Sequence, residues 1–185
     1  MYGGAGNDTL TSFSNPDISR YTDGTGTFNA TLLQDGGDGN DTLTARTQAS
    51  SGGLSSAKLN VTMLGGAGND TLTLYDNEAG VNASSSGGIT SASLDGGTGD
   101  DTLSASGVLA LTLTGGDGSD TFAFTAQQYR TLVANSSASI TISDFKAGTG
   151  GDVLDISELL SKIATGFSGT NPFATGHLKL VASGS

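Results

Sequence analysis

Gly36-Gly37-Asp38-Gly39-Asn40-Asp41-Thr42-Leu43-Thr44 is one instance of a nine-residue phrase that the chain repeats. The same phrase stands earlier as Gly3-Gly4-Ala5-Gly6-Asn7-Asp8-Thr9-Leu10-Thr11 and later as Gly65-Gly66-Ala67-Gly68-Asn69-Asp70-Thr71-Leu72-Thr73. Two further copies are Gly96-Gly97-Thr98-Gly99-Asp100-Asp101-Thr102-Leu103-Ser104 and Gly115-Gly116-Asp117-Gly118-Ser119-Asp120-Thr121-Phe122-Ala123. Three glycines, one aspartate and one large apolar residue hold their places in all five, which chance does not produce. The copies start 33, 29, 31 and 19 residues apart. Self-similarity of this kind is the mark of a solenoid, in which each interval is one coil.

Between copies the chain carries a second strand. Counting back from each Gly-Gly, alternate positions are mostly apolar: Phe28, Ala30 and Leu32; Leu59, Val61 and Met63; Ala92 and Leu94; Leu109, Leu111 and Leu113. That period of two predicts half-buried return strands at Phe28–Gln34, Lys58–Leu64, Ile89–Leu94 and Val108–Thr114. Leu10, Leu43, Leu72, Leu103 and Phe122 form the facing apolar row. Gln34 breaks the pattern. The expected fold is all-β, a parallel solenoid with the repeated turns on one edge. Extended turns at Ser12–Thr27, Ala45–Ala57 and Tyr75–Gly88 fall on the other. These read as tolerated surface insertions, with a binding face as the functional alternative.

Composition agrees. The chain has 185 residues, thirty glycines, two prolines, no cysteine and 35% hydrophobic residues. That suits a thin core of stacked strands better than a large conventional one. Its net charge of −11 is the wrong sign for nucleic-acid or anionic-membrane binding. Sixteen of its eighteen acidic residues are Asp, the carboxylate suited to tight turns and to hard cations. No stretch approaches the roughly 18 apolar residues of a membrane span, and no signal peptide is visible. Met1 runs directly into the first copy, so the chain reads as a fragment of a longer protein.

The pattern G-G-x-G-x-D-x-U-x, with U a large apolar residue, resembles the nonapeptide of the repeats-in-toxin (RTX) family, whose parallel β-roll binds calcium in its turns. The resemblance implies that the first six residues of each phrase turn, that the last three form a short strand, and that calcium lies between successive coils. Its ligands would be the carboxylates of Asp8, Asp41, Asp70, Asp101 and Asp120 and oxygens of the glycine-rich turns. Those turn residues are Gly3, Gly4 and Gly6; Gly36, Gly37, Asp38 and Gly39; Gly65, Gly66, Ala67 and Gly68; Gly96, Gly97, Thr98 and Gly99; and Gly115, Gly116, Asp117 and Gly118. Five turns enclose four gaps, hence about four Ca2+. An uninterrupted roll of the family carries two nonapeptides per coil, whereas here only one edge has the motif.

Elementary electrostatics points the same way. Coils stack at about 4.7–4.9 Å, so neighbouring carboxylates in the column repel by about 3 kcal/mol at an effective dielectric of about 20. A divalent ion reverses that sign, making folding and calcium binding one equilibrium.

Beyond Phe122 the phrase stops. Thr125 and Gln128 suggest a capping box opening a helix over Thr125–Asn135. Ile140-Thr141-Ile142-Ser143-Asp144-Phe145, a glycine-rich turn and Asp152-Val153-Leu154-Asp155-Ile156-Ser157-Glu158-Leu159-Leu160 follow. They resemble the C-terminal target domain of type I secretion substrates. The organisation read here is a repeat domain over 1–124 and an α+β cap, the secretion target region, over 125–185. A solenoid end needs such a cap. Asp144 and Asp152 read as turn-stabilising residues, with a further calcium as the alternative. A helix capped by Asp155 should run to about Lys162. The family's domain continues beyond Asn171–Ser183, so the target region reads as truncated.

Enzyme motifs are missing. His177 is the sole histidine, and there is no G-x-S-x-G elbow, H-E-x-x-H pair or phosphate loop. Asp35–Asp41 resembles the start of an EF-hand, but its twelfth position is Arg46. The expected function is a calcium-dependent folding and structural module of a secreted adhesin, exported through a type I apparatus as its transient partner. A glycan or cell-surface ligand and a monomeric state complete that expectation. The tail of a secreted hydrolase is the alternative. So is an ice-binding solenoid, suggested by the stacked threonines Thr9, Thr42, Thr71, Thr102 and Thr121.

Overall fold

A computed structural model describes residues 1–14, 29–47, 58–76, 89–134 and 136–162. The strands are β1 (Tyr2–Ala5), β2 (Thr9–Ser14), β3 (Asn29–Asp38), β4 (Thr42–Thr47), β5 (Lys58–Ala67), β6 (Thr71–Asp76), β7 (Ile89–Thr98), β8 (Thr102–Ser106), β9 (Ala110–Asp117), β10 (Thr121–Phe124), β11 (Ser139–Ile142) and β12 (Val153–Asp155). Helix α1 (Ala126–Ala134) and helix α2 (Ser157–Lys162) complete it. Odd-numbered strands make one six-stranded sheet, β1-β3-β5-β7-β9-β11, and even-numbered strands the other, β12-β10-β8-β6-β4-β2. Every pairing is parallel. The chain winds as a parallel β-solenoid, as its repeats imply.

Register follows the phrase. Leu10, Leu43, Leu72, Leu103, Phe122 and Leu154 are successive partners in one sheet. Met63, Leu94, Leu113 and Ile142 are successive partners in the other. Apart from Leu154, which is exposed in the last coil, both rows point between the sheets, where Leu43, Met63, Leu72, Leu94, Leu103, Leu113 and Phe122 are buried. Gln34, the residue that broke the alternation, occupies the place beside Met63 and is fully buried. Its Nε2 reaches across to Leu10 O and Ser12 Oγ, each at 3.3 Å, and Thr44 O at 3.2 Å, while its Oε1 has no partner.

Three expectations need correction. The Gly-Gly-x residues are not part of the bend: β1, β3, β5, β7 and β9 run through them, and Gly4, Gly37, Gly66, Gly97 and Gly116 pair in ladder register. Glycine is needed in these strands because a Cβ at Gly37, Gly66, Gly97 or Gly116 would strike the backbone of the preceding coil, and only the next three residues bend. The motif strands correspondingly extend beyond three residues, to six in β4 and β6. Leu109 precedes β9 and is half-buried, and Val108 fills the core there.

Strands β11 and β12 continue both sheets past residue 124, so the described part of the cap is built as a sixth coil with α1 inserted. Thr125 caps α1 through its Oγ1, which accepts from Gln128 N at 3.1 Å. The reciprocal half of the capping box does not form. Gln128 is buried, its Oε1 accepting from Val108 N at 2.9 Å and its Nε2 donating to Val108 O at 2.8 Å. It copies a strand's hydrogen-bonding edge and docks the helix. Asp155 Oδ1 accepts from Ser157 N at 2.9 Å at the start of α2, and hydrogen bonding from the Ser157 side chain, then from its backbone, holds the Asp155 carboxyl below the usual carboxylate range. Phe28, His177, the segment Asn171–Ser183 and most of the three extended turns (15–28, 48–57 and 77–88) lie outside the described residues.

Candidate calcium ladder

In each phrase the glycines at the second and fourth positions have φ between 103° and 137°, the left-handed region where a Cβ is strained. The first glycine is required for space instead. A Cβ on Gly65 would meet Asp70 Oδ2 and the Gly96 carbonyl, and Gly3, Gly36 and Gly96 show the same pair of neighbours one coil apart. That near-collision locates the site. Asp8, Asp41, Asp70 and Asp101 each bring Oδ2 beside the carbonyl oxygen of the next coil's first glycine, namely Gly36, Gly65, Gly96 and Gly115.

The other carboxylate oxygen serves the stack. Asp41 Oδ1 accepts from Asp8 N, Asp70 Oδ1 from Asp41 N and Asp101 Oδ1 from Asp70 N, each at 2.7 Å. Asp120 Oδ1 accepts from Asp101 N at 3.0 Å. One oxygen of every motif aspartate but Asp8, which stands in the first coil, is therefore paired with the backbone of the coil before it.

The remaining oxygen is not. Oδ2 of Asp8, Asp41, Asp70, Asp101 and Asp120 is buried with no hydrogen-bond donor. Buried anionic oxygens without donors are strongly disfavoured, and the effect is visible in proton affinity. Burial, joined by the charges of Asp70, Asp120 and Asp100, pushes the Asp101 carboxyl up to about 6. Burial raises Asp70 and Asp120 too.

These residues fit a calcium ion. The donor set is entirely oxygen, carboxylate plus backbone carbonyl, which a hard cation of adaptable geometry prefers. Among the described residues no three His, Cys, Asp or Glu side chains converge, so carbonyls must supply much of the coordination. Bound there, the ion would supply positive charge to the orphaned Oδ2 row and tie each coil to the next. The third-position carbonyls of Asp38, Ala67, Thr98 and Asp117 each accept a 2.7 Å bond from the fourth-position glycine of the preceding coil. The Asp117 side chain itself is 90% exposed.

Two features escaped the sequence reading. The fifth position is a side-chain ladder: Oδ1 of Asn7, Asn40, Asn69 and Asp100 accepts from the fifth-position N–H of the next coil at 2.8–3.0 Å. The signal was the choice of Asn, Asn, Asn and Asp there, short acceptors all. Asp152 extends the aspartate column to six, accepting from Asp120 N at 3.0 Å. Gly148-Thr149-Gly150-Gly151-Asp152-Val153-Leu154 keeps the G-x-G-x-D-x-U spacing, and Gly148 and Gly150 share the positive φ.

The family model described as "RTX calcium-binding nonapeptide repeat (4 copies)" matches residues 1–12, 35–49, 60–76, 86–107 and 112–126. Those segments contain all five phrases. Comparison with curated proteins and with solved structures gives no match.

Proposed function

From the premise that the five turns are RTX repeats, which bind Ca2+, we propose that this chain is a calcium-triggered folding module of a protein exported by type I secretion. RTX repeats are typical of such secreted proteins. The reading rests above all on the unpartnered Oδ2 row of Asp8, Asp41, Asp70, Asp101 and Asp120. Where calcium is scarce, as in a cytoplasm, the carboxylates repel and the chain stays extended enough to thread an exporter. Where calcium reaches roughly 10⁻⁴–10⁻³ M, the range of extracellular modules, the ladder fills and the coils close. The resemblance of residues 140–160 to a secretion target region supports export, and the parent protein in this reading is a large surface adhesin. The role is structural, with recognition of a glycan or cell surface assigned to the edge opposite the ladder.

Far-ultraviolet circular dichroism tests the folding step. In chelator the spectrum should be that of an unfolded chain, and added calcium should restore a β-sheet spectrum that magnesium does not. A β spectrum in chelator would reject the switch. Glycan-array binding of the calcium-loaded chain tests the adhesin assignment, which uniform non-binding would remove.

A further inference from the structure

The interior row of the second sheet ends uncovered. Leu10, Leu43, Leu72, Leu103 and Phe122 are at most 5% exposed, whereas Leu154, their successor in register, is 44% exposed. Strand β12 is the last of its sheet among the described residues. Val153 N donates to Asp120 O on the β10 side, and successive residues of a parallel strand turn their peptide groups to opposite neighbours. The N–H and C=O of Leu154 therefore face the open edge. Beside that edge Val153, itself 53% exposed, joins Leu154, Ile156 and Leu160 in an apolar groove. An open strand edge with apolar surface along it is a template for one more strand.

The chain carries a matching segment. Residues 163–185 follow α2, and within them His177-Leu178-Lys179-Leu180-Val181-Ala182 has the period-two alternation of a half-buried strand. Leu178 stands 24 residues after Leu154, inside the 19 to 33 residues that separate consecutive phrases. Charge selects the register. With Leu178 opposite Leu154, Lys179 falls opposite Asp155 and His177 opposite Val153. A slide of two, placing Leu180 opposite Leu154, sets Lys179 against Val153 and Val181 against Asp155. Opposite charges facing each other across a strand pair stabilise it, and the slid register forfeits that pair.

We propose that residues 177–182 dock on β12 as a further parallel strand, Leu178 on Leu154 and Lys179 beside Asp155, so that the chain's own tail closes this end of the solenoid. The inference rests on the fold and the open edge, and is independent of how many calcium ions the ladder holds.

The chain has no cysteine, which makes disulfide trapping in the full, calcium-loaded chain a direct test. Val153→Cys combined with His177→Cys should close an intramolecular disulfide under mild oxidation. Val153→Cys combined with Lys179→Cys should close at least tenfold more slowly, because an offset of two residues takes the Cα atoms beyond about 7 Å. Equal rates, or no link between 153 and 177, would overturn the docking. A link between two chains would overturn it as well, showing that a second copy covers the edge. Amide hydrogen exchange gives a second readout. Leu178→Asp should raise exchange at Leu154 at least tenfold while Leu72 stays protected, and unchanged exchange at Leu154 would show that no strand from the tail lies there.

Discussion

Asp101 is 1% exposed, with Asp70 and Asp120 as its neighbours in the column. Its proton affinity carries a sign that can be measured. An unfolded Asp titrates near its ordinary value of about 4, and burial pushes Asp101 in the folded, metal-free turn up to about 6. Between those limits the folded state binds more protons than the unfolded one. Calcium-free folding is therefore assisted at low pH, and that assistance is lost as pH rises through about 6. Asp70 and Asp120 shift in the same direction for the same leading reason, burial. Protons then compete with calcium, so calcium affinity should weaken by about tenfold from pH 7 to pH 5 at sites lined by Asp101. Calorimetric titration at the two pH values checks this, and an affinity indifferent to pH would contradict the burial of these carboxylates. Gln34 makes a separate residue-scale case. Its buried Oε1 has no donor and its three Nε2 contacts are long, 3.2–3.3 Å. Gln34→Met, matching its register neighbour Met63, should stabilise the calcium-loaded chain by about 1 kcal/mol. Denaturant midpoints measure it; a loss of that size would mean the cross-sheet bonds outweigh the orphan.

Among the elements, the strands were largely legible and the helix docking was not. The Leu43–Leu72–Leu103–Phe122 row and the alternation of Leu59, Val61 and Met63 are local patterns, and local patterns are what a sequence displays. The extension of β3, β5 and β7 through Gly-Gly-x comes from the adjacent coil's backbone, which no residue of the strand itself encodes. The Asn7–Asn40–Asn69–Asp100 ladder has the same origin: each acceptor acts on an amide 19–33 residues away. Gln128 was read as a capping residue because it stands three after Thr125, but its side chain is turned inward to Val108. Gln128→Ala removes two buried hydrogen bonds and leaves Val108 N–H unpaired by this side chain. It should cost about 2–4 kcal/mol, whereas Thr125→Ala should cost about 1 kcal/mol as an ordinary cap. Thermal unfolding in saturating calcium distinguishes them, and equal small losses would mean that α1 is not anchored through Gln128.

For the whole molecule, the consequence is a fold whose two sheets are well specified and whose turns are electrostatically incomplete. Apolar rows line the interior from Leu10 to Phe122, yet one edge stacks buried carboxylate oxygens without donors in a chain of net charge −11. In the proposed function the core favours closure and the ladder opposes it until an ion arrives, which is the condition for a switch. The candidate site was legible in type, in its five motif aspartates and in its edge of the solenoid. The division of labour within each carboxylate was not, because Oδ1 and Oδ2 are distinguished only once the coils stack. Anomalous diffraction from crystals grown in calcium tests that arrangement most directly. Four calcium peaks should lie along the edge, each against the Oδ2 of Asp8, Asp41, Asp70 or Asp101. Aspartates stacked in the same column with no ion against those oxygens would contradict it.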